Sequence, residues 1–199
     1  MTAEPAPHGL VAGLDLMQRA LDHTRAALST ITCADVARPT PCAGWDLAAL
    51  LAHMEDALDA FAEAADGSVG LHSAAPAPLE VRVRSLQSKA CSLLGSWMAA
   101  TTPYVDVGGH PLPVDAVARI AALEIAVHGW DVGRATGRGG PLPERLAEGL
   151  LPTALRIALE GDDRFGAPVP VHPDEPAGVH VLALLGRTAR WSAASDGCS

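Results

Sequence analysis

Four stretches of about twenty residues repeat apolar side chains at steps of three and four, and each is closed off by proline or glycine. That period belongs to amphipathic α-helices and excludes a strand-built core. Residues 10–31 carry Leu14, Met17, Ala20, Leu21, Ala27 and Leu28 on one stripe, and Pro39, Pro41 and Gly44 then break the chain. Asp46 reads as the N-cap of a second helix over 47–65, with Leu50, Met54, Leu58 and Phe61 aligned. A loop over 67–78 precedes a third helix over 79–100. Residues 102–113, rich in Pro and Gly, form a loop with room for a short hairpin. A fourth helix runs from Val114 or Asp115 to about Thr136 and stops at Gly137. A fifth starts at Pro143, runs to Glu160 and is expected to kink at Pro152. A proline-rich crossing over 165–176 and a short helix over 178–190 complete the chain. The pattern predicts an all-α fold: a four-helix bundle, short extra C-terminal helices, and at most a small β-hairpin before the fourth helix.

A chain of 199 residues with 49% hydrophobic residues builds one core without staples. We therefore expect a single domain over 1–199, with its bundle over 9–137 and a helical extension over 141–190. A net charge of -9 excludes nucleic acid and anionic membranes as main partners. No apolar run reaches membrane-span length, and residues 1–8 lack the features of a secretory signal. Four cysteines at unrelated spacings, with no CxxC, predict reduced thiols and a cytoplasmic location. A monomer or homodimer acting on a small-molecule substrate is expected. The 13 arginines against one lysine, beside 38 alanines, mark a GC-rich coding sequence.

In a bundle, sites are built by polar side chains that interrupt the inward stripes. His53 shares a face with Met54 and Leu58, and Glu124 and His128 stack at i, i+4 on the stripe of Val117, Ile120 and Val127. An inward carboxylate is costly unless it is paired or bound to metal. Two readings fit this spacing: a hydrogen-bonded core pair, or three N/O donors that leave an open position on a divalent metal. Zinc suits such donors, and iron, nickel or cobalt would also fit.

The segment Pro39-Thr40-Pro41-Cys42-Ala43-Gly44-Trp45-Asp46-Leu47, followed by Leu50-Leu51-Ala52-His53-Met54, resembles the opening motif of the mycothiol-dependent maleylpyruvate isomerase N-terminal family. Leu123 to Asp131 resembles that family's second signature, E-x-x-x-H-x-W-D. Phe165-Gly166 and the segment ending at Arg187 resemble the tail of a single-domain actinobacterial subfamily. The resemblance implies a DinB-like metal-binding bundle, with His53, Glu124 and His128 as ligands, zinc as the usual metal and mycothiol as co-substrate. Full isomerases add a sterol-carrier-like domain that lends the site an arginine, and the residues after 137 are too few for it.

The expected chemistry is that of an S-transferase or isomerase. A thiol is deprotonated at the open metal position, and its thiolate attacks a small electrophile. Two alternatives remain: a hydrolase or lyase of specialised metabolism that uses metal-bound hydroxide, and a non-catalytic metal-binding module. Trp45 and Trp130 are candidate pocket walls. Asp131 is a candidate to orient a ligating imidazole, with a salt bridge to Arg134 as the alternative. Cys42, with no base beside it in sequence, reads as a packing residue. His23, His72, His110, His172 and His180 read as surface or loop residues, and Arg82 and Arg84 as a solvated helix face.

Overall fold

Each predicted helix is present in the computed structural model, which describes residues 8–70, 76–161 and 164–193. Helix α1 spans His8–Leu28, α2 Leu47–Ala65, α3 Leu79–Ala99, α4 Val114–Thr136, α5 Glu144–Glu160 and α6 Ala177–Leu184. The start of α2 is set by Asp46, whose carboxylate accepts the Ala49 amide at 2.8 Å. The end of α4 is set by Gly137, which turns left-handed at φ 71°. Helix α1 stops three residues short of the apolar pattern, where the Ser29 and Thr30 hydroxyls fold back onto the Ala26 and Ala27 carbonyls. A 3-10 turn, Cys33–Asp35, follows.

Two departures concern the connections. Between α3 and α4 lies the expected hairpin, β2 (Tyr104–Val107) with β3 (His110–Pro113), turning through left-handed Gly108 and Gly109. A further strand, β1 (Ser68–Val69), lies parallel to β2 and makes a three-stranded sheet of what reads as a loop in sequence. Helix α6 is shorter than the predicted 178–190. Gly186 turns left-handed against Gly166, where a Cβ would come within 2.7 Å of backbone. The chain therefore leaves the helix, and Arg187 turns inward. Pro152 lies within α5 and does not end it. Among the described residues no helix is long and apolar enough to cross a membrane.

Helix α4 is buried on nearly every side because small residues line it: Ala118, Ala121, Ala122, Ala126 and Gly129. At Gly129 the fit to α1 is closest, since a Cβ there would sit 2.9 Å from the Thr24 Cα. The Thr24 hydroxyl donates to the Ile125 carbonyl at 2.7 Å across this contact. Helix α2 also packs on α3, whose Leu86, Leu93 and Trp97 are buried, and the Trp97 indole donates to the Phe61 carbonyl at 2.9 Å. Each fully buried leucine contributes roughly 2–3 kcal/mol.

The α2–α3 contact also corrects one expectation. Arg82 is buried rather than solvated, with its guanidinium 2.6 Å from the Glu55 carboxylate. Lys89 bridges Glu55 at 3.2 Å and Asp59 at 2.6 Å. Arg84 is exposed, as expected.

Candidate metal centre

Helix α4 is buried continuously from Ala121 to Gly133, the stretch that carries the polar residues of the site. Glu124, His128 and Asp131 are all buried. Helix α2 brings His53 to the same point, half-buried, and one donor atom from each of His53, Glu124 and His128 lies within 4.8 Å of the others. The His128 Nε2 is 3.1 Å and the His53 Nε2 4.0 Å from Glu124 Oε2. That oxygen is buried and makes no hydrogen bond. The imidazole rings are close to perpendicular, with centroids 4.9 Å apart.

The second imidazole nitrogen of His128 is held from behind. Its Nδ1 lies 3.1 Å from Asp131 Oδ2, so a proton there is given to the carboxylate and the Nε2 lone pair is left facing His53 and Glu124. Asp131 in turn accepts from Arg187 Nη2 at 3.1 Å, and the same nitrogen donates to Cys42 Sγ at 3.1 Å. The Cys42 thiol donates to Asp131 Oδ2 at 3.1 Å. Arg187 also bonds the Leu185 carbonyl at 2.7 Å and lies over the Phe165 ring, which stacks on His128.

These contacts set the electrostatics. Burial by itself would raise the Glu124 carboxyl, but the His128 and His53 rings hold it well below the usual carboxylate range. Burial likewise opposes ionisation of Asp131, which His128 and Arg187 outweigh. Burial would lower His128, but Asp131, Cys42 and Glu124 push it well above its ordinary value. Two buried carboxylates thus demand positive charge at His128, and a proton or a metal cation meets the demand.

The His53, Glu124 and His128 donors fit a metal. Tetrahedral zinc with bonds of about 2.0–2.1 Å separates its ligand atoms by about 3.3 Å, and the observed 3.1 and 4.0 Å bracket that value. A second group, Cys42, His128 and Asp131, is equally close. Its atoms already bond one another and the Arg187 guanidinium, so a cation there would compete with an arginine.

The loop that carries Cys42 and Trp45 is braced from two sides. Thr40 accepts the Cys42 amide at 3.2 Å and donates its hydroxyl to the Trp45 carbonyl at 3.0 Å. Below it, Asp35 accepts the Thr32 amide and hydroxyl at 2.9 and 2.7 Å and pairs with Arg138 and Arg38. Burial opposes the Asp35 charge, but Thr32 and Arg138 lower its pKa from 3.8 to about 2. A depressed carboxylate stabilises the fold above its unfolded pKa and loses that contribution as pH falls through the folded one. Asp35→Asn is therefore expected to lower the melting temperature by a constant amount above about pH 5, and the difference from wild type should shrink between about pH 4 and pH 2.

The remaining candidates are distributed as follows. Trp45 is exposed and packs on His53, with ring centroids 4.9 Å apart. Trp130 is buried under the Arg134 guanidinium, 5.1 Å from its ring centroid. Asp131 pairs with Arg187 and not with Arg134, which bonds the Ala189 carbonyl. His23 is half-buried in α1, His110 and His172 are exposed, and His180 lies against the Pro173 carbonyl. His72 and Cys198 fall outside the described residues. The other three cysteines are free thiols. Sequence reasoning missed the roles of Cys42 and Arg187. The signal available for Arg187 was the inward Asp131, which needs a cation.

The profile of the mycothiol maleylpyruvate isomerase N-terminal domain matches residues 17–133. The chain belongs to this family. The match runs from α1 through Glu124, His128 and Asp131. Crystal structures of the mycothiol-dependent maleylpyruvate isomerase share the fold of this family member. One superposes with a TM-score of 0.58 at 18% identity, covering 75% of this chain and 69% of that one. A histidine-to-alanine variant superposes with a TM-score of 0.60 at 17% identity, covering 80% and 73%. No curated protein matches the sequence.

Proposed function

We propose that His53, Glu124 and His128 hold one divalent metal, zinc first and iron, nickel or cobalt as alternatives. We further propose that the chain is a thiol-dependent S-transferase or isomerase acting on a small electrophile, with mycothiol as the thiol. The bundle over 9–137 carries the chemistry, and the extension over 141–190 braces it through Arg187.

The observation that carries this reading is Glu124 Oε2, buried without a hydrogen bond while two imidazole nitrogens face it. A core ion pair needs one nitrogen on that oxygen, whereas two imidazoles from different helices turned toward it suit ligands around a cation. Membership of the isomerase family supports the choice of thiol. A divalent cation held there supplies the positive charge that lowers the pKa of a thiol. Glu124 offsets part of that charge. Asp131 fixes the His128 tautomer, and Arg187 keeps Asp131 ionised. His53 has a side chain 37% exposed, so solutes reach the centre on its side, past Trp45.

Thermal shift with mycothiol tests the reading. A thiol that binds the loaded protein stabilises it by mass action. The melting temperature should rise with mycothiol on metal-loaded protein, and not after chelation or with S-methylated mycothiol. An equal rise with the S-methylated compound would refute thiol binding at the metal.

A further inference from the structure

Glu124 and His128, but not Cys42, line a cavity of about 240 Å³ that lies between α1, α2, α3 and α4 and opens beside Asp22 and Arg25. Its walls are Leu21, Leu58, Phe61, Leu86, Leu94 and Ile125. Apart from Glu124 and His128, its charged lining is Asp22 and Arg25, which pair with each other at 3.0 Å on exposed side chains. We infer that this cavity takes the uncharged hydrocarbon body of the substrate, an aromatic or branched group as large as a fused two-ring system, and excludes small dicarboxylates.

A carboxylate placed among these walls costs several kcal/mol unless it finds a partner, and the walls offer no free cation: Arg25 is already matched by Asp22. A dianion of the maleate type needs two such partners. The exposed edge of His53 offers the thiol of the proposed reaction a separate approach, which leaves the cavity to the second reactant.

Size sets the upper bound. A dry apolar cavity of about 150 Å³ accepts benzene, so about 240 Å³ accepts a fused bicycle or a chain of about ten carbons. The cavity is mostly apolar, with Glu124 and His128 at the reactive end and Gln18, Gln87 and the Asp22–Arg25 pair as its other polar lining. This assignment deepens the proposed function and rests on it for the identity of the bound group as substrate. Binding itself does not require the metal.

The test uses methyl NMR on protein labelled at methionine, with 2-naphthol, neutral at pH 7, as the probe. Met54 lines the cavity, whereas Met17 and Met98 do not. Saturable binding at one equivalent should shift the Met54 resonance and leave Met98 unmoved. Maleate at a hundredfold excess should not displace the probe. Ala90→Phe or Ala57→Phe, which fill the cavity from α3 and α2, should weaken binding at least tenfold. Chelated wild-type protein should bind the probe as loaded protein does, so a failed metal site and a failed cavity give different results. No saturable Met54 shift, displacement by maleate, or unchanged affinity in a folded filling variant would overturn the inference. If both filling variants misfold, the Met54 shift and the maleate competition decide it.

Discussion

Glu124→Ala is expected to empty the centre, reducing bound metal from one equivalent to less than about a tenth. Glu124 supplies both a donor oxygen and the negative charge that a dication requires among buried groups. Protein sites of three or four ligands bind zinc with about 10–16 kcal/mol. Losing one ligand therefore weakens affinity by about a hundredfold to a thousandfold. Glu124→Gln keeps the shape and an oxygen but loses the charge, and should fall between wild type and alanine. The measurement is metal analysis after dialysis, with a chromophoric chelator to rank affinities. The same variants separate a ligand from a mere ion-pair partner of His128. A ligand's loss lowers the stability of the loaded protein more than that of the chelated protein. An ion-pair partner's loss lowers both equally.

Arg187→Ala is expected to have the second largest effect, and it acts through Asp131. Asp131 is completely buried and its Oδ1 already lacks a hydrogen-bond partner. Without the guanidinium its charge is offset by His128 alone. Breaking a buried ion pair from one side costs about 3–5 kcal/mol, which denaturant unfolding will read. Groups that orient a metal-ligating histidine are worth about 10–100-fold in metal affinity, so chelator competition should show a loss in that range. Arg187→Lys restores the charge but has one nitrogen where the guanidinium uses two, Nη2 for Asp131 and Cys42 and Nη1 for the Leu185 carbonyl. Partial recovery of stability with incomplete recovery of metal affinity is the expected outcome. Full recovery by lysine would mean that charge alone matters at this position.

What the sequence made legible follows from how local each signal is. The start of α2 and the end of α4 were readable to the residue because Asp46 and Gly137 are chemical boundary signals, and neither depends on distant neighbours. Glu124 and His128 were readable as a pair because i, i+4 spacing fixes their face. His53 was readable only as an inward residue, since its distance from Glu124 depends on how α2 crosses α4. The Cys42–Asp131 contact spans 89 residues and the Arg187–Asp131 pair 56. No periodicity links such positions, and the nearer Arg134 was the obvious but wrong partner. Its guanidinium is held instead by the Trp130 face and the Ala189 carbonyl. The strand β1 was missed for a similar reason: its two residues become a strand only by pairing with β2, where the Asp106 amide donates to the Gly67 carbonyl at 2.9 Å.

The central claim is that His53, Glu124 and His128 hold a metal with a position open to an incoming thiol. X-ray absorption at the zinc edge, on zinc-loaded protein with and without mycothiol, tests it most directly. The account predicts nitrogen and oxygen neighbours alone before the thiol is added. One sulfur neighbour at about 2.3 Å should appear after it, and Glu124→Ala should remove the signal. A sulfur neighbour before mycothiol is added would place Cys42 on the metal, and an unchanged spectrum afterwards would leave the thiol no position there. Either result would contradict the account.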